Sequence, residues 1–142
     1  MIAYVDTSAV IKRIMNEPGS DITRDVWNEA DDVVSSEVVY AETRAALAGI
    51  RRSGRLDVVG HQCAVCEAED LLGEVRLVKL DDTIATAAGG LAERHALRGF
   101  DAIHLAAALS VDAPRVVVAT WDSGLGKASA ECGMPVVPAV AG

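Results

Sequence analysis

The sequence predicts an α/β sandwich with a mainly parallel central sheet, and three observations carry that expectation. Short apolar runs recur along the chain, each bounded by polar or turn residues. Each run leads into a longer segment with apolar residues at helical spacing. One run, RVVVAT (115–120), is apolar enough to lie mid-sheet with both faces covered. Strands alternating with helices build βαβ units, whose crossovers force neighbouring strands to run parallel. The 142 residues suffice for one core. No linker, low-complexity stretch or internal repeat divides them, so 1–142 is expected to be a single domain.

The elements follow in order. IAYV (2–5) reads as a strand ending at Asp6. Thr7 or Ser8 then begins a helix that Pro18-Gly19 stops. Ser20 is expected to cap a second helix, DITRDVWNEA, with Ile22, Val26 and Trp27 on one face. DVVSS (32–36) is a strand, and Ser36 the expected cap of a helix ending at Gly54. A long helical region spans Leu56 to about Val75, followed by a strand in RLVKL (76–80). Asp81 or Asp82 caps the next helix, which contains Gly89-Gly90. Each glycine costs about 1 kcal/mol against alanine, so a close helix contact or a kink is expected there. Arg98-Gly99 turns the chain into the helix FDAIHLAAALS. RVVVAT, a short helix in WDSGLGKASAECG and a last strand in MPVVPAV complete the chain.

Composition narrows the function. A hydrophobic fraction of 51% excludes a disordered chain. No run approaches the roughly 20 apolar residues of a membrane span, and the start carries an acid with no basic lead, so a cytoplasmic protein is expected. The formal net charge of −8 suits a small substrate or a basic protein partner better than a phosphate chain. That preference weakens if some acids are metal ligands, whose charge a bound cation cancels. Cys63, Cys66 and Cys132 are an odd number, which argues for reduced thiols. The CxxC pair lies inside a helical pattern with no second ligand pair, so packing thiols are expected rather than a zinc or redox site.

Parallel sheets place their sites outside the carboxyl ends of the strands. Asp6 directly follows the first strand and Asp122 follows RVVVAT by two residues, so both fall on that edge. Asp101 opens a helix, where a carboxylate is favoured by free N–H groups and the dipole. Glu42 lies within a helix beside Val38, Val39, Ala45 and Ala46. Each acid has an ordinary reading, as helix cap, loop acid or surface residue. Two of them at strand ends, embedded in DTSA and TWDSG, are more telling than any one. Carboxylates brought close raise one another's pKa, and a divalent cation relieves the repulsion. Oxygen ligands without His or Cys suit Mg²⁺, with Mn²⁺ substituting. Such a centre orients and activates water for phosphoryl chemistry.

At this point the chain resembles a known family, the PIN-domain nucleases, and within it the VapC-type toxins of toxin–antitoxin pairs. YVDTSAVIK, VVYAETRAAL, FDAIHLAAAL and VVVATWDSGL match its motifs in order and spacing over nearly the whole chain. The resemblance implies a PIN-like three-layer α/β/α sandwich and an acidic tetrad of Asp6, Glu42, Asp101 and Asp122. Asp6 and Asp101 would hold Mg²⁺ directly, with Asp122 bound or close, and Glu42 would position water. Ser8 and Thr120 resemble hydroxyl residues that bond the acids. His104, one turn after Asp101, has two readings: a structural residue, or a support or substrate contact. Ser123-Gly124-Leu125-Gly126 follows TxD where some relatives carry another acid, which bears on whether a second metal binds.

The resemblance further implies an endoribonuclease that leaves a 5′-phosphate and a 3′-hydroxyl, is inhibited by a cognate antitoxin, and is usually a homodimer. RNA phosphates would be gripped by Lys12, Arg13, Arg44, Arg51, Arg55 and Arg98, with Arg52 beside them; a solvated, ion-paired helix face is the plainer reading. Two rivals are a non-cleaving RNA- or protein-binding module and a nuclease acting on DNA. A haloacid-dehalogenase-type phosphatase would want a second Asp where Ser8 stands.

Overall fold

A computed structural model describes residues 1–140. Its elements, in chain order, are β1 (Ile2–Val5), α1 (Thr7–Ile14), α2 (Ser20–Glu29), β2 (Asp32–Ser36), α3 (Val39–Arg52) and α4 (Val58–Gly73). They continue with β3 (Arg76–Val78), α5 (Asp82–His95), α6 (Gly99–Leu109), β4 (Val116–Ala119), α7 (Ser123–Glu131) and β5 (Val136–Val137). The five strands form one sheet in the order β3-β2-β1-β4-β5. Every pairing is parallel, so the sheet is wholly rather than mainly parallel.

That order places a topological switch at β1. The chain builds outward through β2 and β3 on one side, then returns to build β4 and β5 on the other. Crossovers leave the two sides in opposite directions and open a crevice beyond the strand ends. Val5 stands level with Ala119 in the β1–β4 register, so the residues that follow both strands emerge side by side.

The side-chain alternation of β1 and β4 explains the two covering layers. Val5, Val33 and Ala119 point to one face, where α1 supplies Ala9 and Val10 and α3 supplies Val39. Leu47 packs below with Ala64 and Ala68 of α4. Tyr4, Val34, Val116 and Val118 point to the other face, against Ala107 and Ala108 of α6. The small residues of α6 let it lie close on the sheet. Its far side meets Ile84, Ala88 and Leu91 of α5 and Leu125 and Ala128 of α7. The sandwich therefore has three layers. Among the described residues, no helix is long and apolar enough to cross a membrane.

Several local expectations are corrected. Gly89 and Gly90 make no close helix contact, because a Cβ added at either would meet nothing within 4 Å, and α5 runs unbroken past both. Ser20 is not a cap but the first residue of α2; its hydroxyl bonds back to the Met15 carbonyl, and Gly19 takes the turn at φ 95°. Gly19 is needed there for a second reason, since a Cβ would lie 2.8 Å from Nε1 of Trp121. Ser36 accepts from the Val38 amide in the turn before α3 rather than capping the helix itself. Asp81, not Asp82, caps α5 through the Ile84 amide. The last strand contracts to Val136–Val137.

Candidate active site

Asp6 has two positions at once, as the residue after the central strand and the N-cap of α1. One carboxylate oxygen, Oδ1, accepts the Ala9 amide at 3.0 Å and the Ser8 hydroxyl at 2.6 Å. The other, Oδ2, accepts the Thr120 hydroxyl at 2.6 Å. Asp6 is only 4% exposed, and none of these donors carries a charge. Burial therefore dominates and pushes the carboxyl above its ordinary range, against the pull of the Ser8 and Thr120 bonds. Among the described residues no cationic side chain bonds to this buried carboxyl; the pull of a protonated His104 acts on it from a distance and is weaker than the burial that opposes it.

Thr120 also ties Asp6 to the next acid, because its Oγ1 accepts the Asp122 amide at 3.0 Å. Asp122 caps α7 through the Leu125 amide with Oδ1, which leaves Oδ2 facing Arg98. The Arg98 guanidinium lies 3.2 Å from Asp122 Oδ2 and 3.1 Å from Asp101 Oδ2. Hydrogen bonding to Asp101 and the two carboxylates' charge raise the Arg98 pKa. One cationic side chain thus bridges two of the four acids, yet it is 81% exposed and free to turn away. Asp101 lies in the first turn of α6 but does not cap it; its carboxylate goes to Arg98 instead.

Glu42, in the first turn of α3, is fixed from two directions. Its Oε1 accepts the Thr7 hydroxyl at 2.9 Å and meets His104 Nε2 at 2.7 Å. On the far side of the ring, His104 Nδ1 lies 2.7 Å from the Tyr4 hydroxyl. When neutral, the ring serves both contacts with one proton, Nε2–H donating to Glu42 and Nδ1 accepting from Tyr4; when protonated, it pairs with Glu42 as an ion. Burial, reinforced by the Asp6 charge, raises the Tyr4 pKa, which keeps the phenol a donor. Burial is the largest single influence and opposes ionisation of Glu42, but the bond to His104, the charge of its protonated ring and the Thr7 bond together outweigh it, and the carboxyl titrates below its usual range. Glu42 Oε2 has no hydrogen-bond partner among the described residues, and Glu42 lines a cleft of about 500 Å³ with Arg98, Phe100 and Asp101.

The four acids therefore occur on one edge of the sheet: Thr120 bonds to both Asp6 and Asp122, Arg98 to both Asp101 and Asp122, and Glu42 is held by Thr7 and His104. Ser8 and Thr120 hold Asp6 as the resemblance implied, and His104 supports Glu42 from a buried position. Of the basic residues, Arg98 alone bonds to one of these acids among the described residues. Lys12 and Arg55 both clamp Glu17. Arg44 is held by Glu69 and the Tyr40 hydroxyl, and Arg13 lines a groove with Glu67, Asp70 and Glu74. Arg51 and Arg52 are exposed at the end of α3. Sequence reasoning gave no site role to Tyr4, Thr7 or Phe100, although Tyr4 and Thr7 lie in YVDTSAVIK and Phe100 opens FDAIHLAAAL.

The donor set suits a hard divalent cation: carboxylate oxygens, one of them buried and uncompensated. As now placed, no three His, Cys, Asp or Glu side chains among the described residues enclose a metal position. Arg98 stands between Asp101 and Asp122 and bonds to both, as an exposed side chain at 3.1 and 3.2 Å.

The comparisons with known proteins agree with this architecture. The PIN domain family model matches residues 3–130, and the chain belongs to that family. Within it, the chain is 41% identical over 138 residues to Ribonuclease VapC45 of Mycobacterium tuberculosis, covering 97% of this chain and 96% of the relative. It is 34% identical to Ribonuclease VapC46 of the same species over 136 residues, covering 94% and 95%. FitAcB from Neisseria gonorrhoeae superposes with a TM-score of 0.66 at 21% identity, covering 96% of both chains. PAE2754 from Pyrobaculum aerophilum gives 0.69 at 20% identity, covering 96% of this chain and 84% of that one.

Proposed function

We propose that this protein is a Mg²⁺-dependent endoribonuclease acting as the toxin of a toxin–antitoxin pair. The observation that carries the proposal is the pairing of Asp6 and Asp122 at the switch point, with Asp101 joined to Asp122 through Arg98. Relatives at 41% and 34% identity bear the name ribonuclease VapC. Fold neighbours include a toxin–antitoxin complex from Klebsiella pneumoniae and VapBC-1 from Haemophilus influenzae, which supports a cognate antitoxin as partner. A homodimer is the proposed assembly.

Asp6, Asp101 and Asp122 would hold the metal, which when bound supplies positive charge that makes water a better nucleophile and offsets charge on the phosphate. Ser8 and Thr120 keep both Asp6 oxygens oriented. Glu42, held ionised through Oε1, presents Oε2 to take a proton from the attacking water. Attack in line at phosphorus leaves a 5′-phosphate and a 3′-hydroxyl, and no RNA 2′-hydroxyl is needed as nucleophile.

The purified protein, freed of any antitoxin, should cut structured RNA with Mg²⁺ and stop on addition of EDTA. RNA that stays intact at concentrations where it binds would replace the nuclease with a non-cleaving module. Faster cleavage of DNA of equal sequence would move the substrate class.

Arg98 makes the metal proposal separately testable. Arg98→Ala removes the cation that competes for Asp101 and Asp122. The Mg²⁺ concentration giving half of the maximal thermal stabilisation should therefore fall a few-fold. An unchanged or higher midpoint would show that the guanidinium and the metal do not share a place.

A further inference from the structure

We propose that the cleft lined by Glu42, Arg98, Gly99, Phe100, Asp101 and Ile103 is a nucleobase subsite, in which one base of the RNA beside the scissile phosphate stacks on Phe100. This inference rests on the ribonuclease reading and refines it. The cleft measures about 500 Å³, within the range of about 300–1,000 Å³ found for small-ligand sites.

Phe100 is the only phenylalanine in the chain, and it is 57% exposed. The other aromatic residues are all engaged. Tyr4 is buried against His104, and Trp27 and Trp121 pack on the cluster around α1. Tyr40 is bonded to Glu69 and Arg44. Among the described residues, Phe100 joins none of the apolar clusters. It sits in the first turn of α6, immediately before Asp101, so its ring is carried by the same rigid turn as an acid of the site.

The chemistry of the walls selects the occupant. A phenyl face stacks any base, at a cleft edge where no hydrogen-bond code is required. Arg98, on the same wall, bonds to Asp101 and Asp122 yet keeps most of its side chain exposed, so a phosphate brought in with the base meets a guanidinium at the rim of the cleft. Glu42 and Asp101 line the same cleft, so a base seated on Phe100 lies next to the acids at which the proposed cation would meet the phosphodiester. An apolar peptide would gain the phenyl contact but leave both carboxylates and the guanidinium facing it.

Short single-stranded RNAs carrying 2-aminopurine at successive positions, bound to Asp6→Asn to prevent cleavage, provide the test. Fluorescence should be quenched at one position, and the quench should vanish in Asp6→Asn/Phe100→Ala. In the otherwise native protein, Phe100→Ala should lower kcat/KM about tenfold or more, with the melting temperature unchanged, and Phe100→Trp should restore it. Native kinetics and a persistent quench in Phe100→Ala would overturn the subsite while leaving the nuclease intact. Conversion of a dimer to a monomer by Phe100→Ala would also overturn it, by assigning the ring to a second copy of the chain. A native protein that neither binds nor cuts RNA would remove the ribonuclease reading and the subsite with it.

Discussion

Asp6→Asn should abolish RNA cleavage and at the same time raise thermal stability in EDTA. The loss follows from removing a ligand charge at the strand end, where metal-assisted charge stabilisation is worth several kcal/mol, or about a thousandfold in rate. The gain follows from burial. The folded chain holds the Asp6 proton more tightly than the unfolded chain does, because burial raises the carboxyl. That contribution favours folding below the ordinary carboxylate pKa of 3.8 and is lost as pH rises through the raised value, above which the ionised group is a net burden. Asparagine is neutral and nearly the same shape. Its oxygen can still accept from Ser8 and Ala9, and its amide can donate to Thr120 once that hydroxyl reorients. A rise of about 2–4 °C is expected, the size of a change of roughly 1 kcal/mol. Added Mg²⁺ should then stabilise the native protein and leave the variant unmoved. Full cleavage by the variant would overturn the site assignment. Lower stability in EDTA would show that the hydroxyl bonds to the carboxylate outweigh its burial.

The second large effect is expected at His104, a positioning residue that acts through Glu42. His104→Ala opens a cavity and strands two groups, the buried Tyr4 hydroxyl and one contact of Glu42 Oε1. Cavity and unpaired polar groups together should cost about 2–5 kcal/mol, lowering the melting temperature by roughly 5 °C or more. Stability alone would not separate a support from a core residue. Cleavage by the folded fraction should also fall about 10- to 100-fold, the usual cost of losing a group that orients a site carboxylate. His104→Gln, which keeps a donor towards Glu42, should recover part of the rate. If the rate per folded molecule stays native while stability drops, His104 is a core residue only.

The sheet and the strand-end acids were legible because both depend on local pattern. Apolar runs ending in a small polar residue announce a parallel strand, and DTSA and TWDSG sit where such strands must open into helices. The hydroxyls of Ser8 and Thr120 lie within two residues of the acids in sequence, so short-range reasoning placed them. The Tyr4–His104 contact joins residues 100 positions apart, and nothing in either neighbourhood announces it. Arg98 was identified only as one of a group of bases. Its position between Asp101 and Asp122 depends on how α6 and α7 pack. The destinations of Arg44 and Arg55 were not legible either. A long flexible side chain goes to whichever acid the tertiary structure brings near, here Glu69 and Glu17. Gly89-Gly90 misled in the opposite sense, since a local cost in helix propensity was tolerated on an open surface.

The switch at β1 also sets an order of events during synthesis. The first strand leaves the ribosome early, but its neighbour β4 and the hydroxyl that orients Asp6 arrive from 114 residues downstream. A nascent chain interrupted before that point has the leading acid without its neighbouring strand, and such distant pairing is slow to form even in the finished polypeptide. The strand pair and the hydroxyl that together fix Asp6 are therefore completed only after Thr120 has been made and β4 has paired with β1.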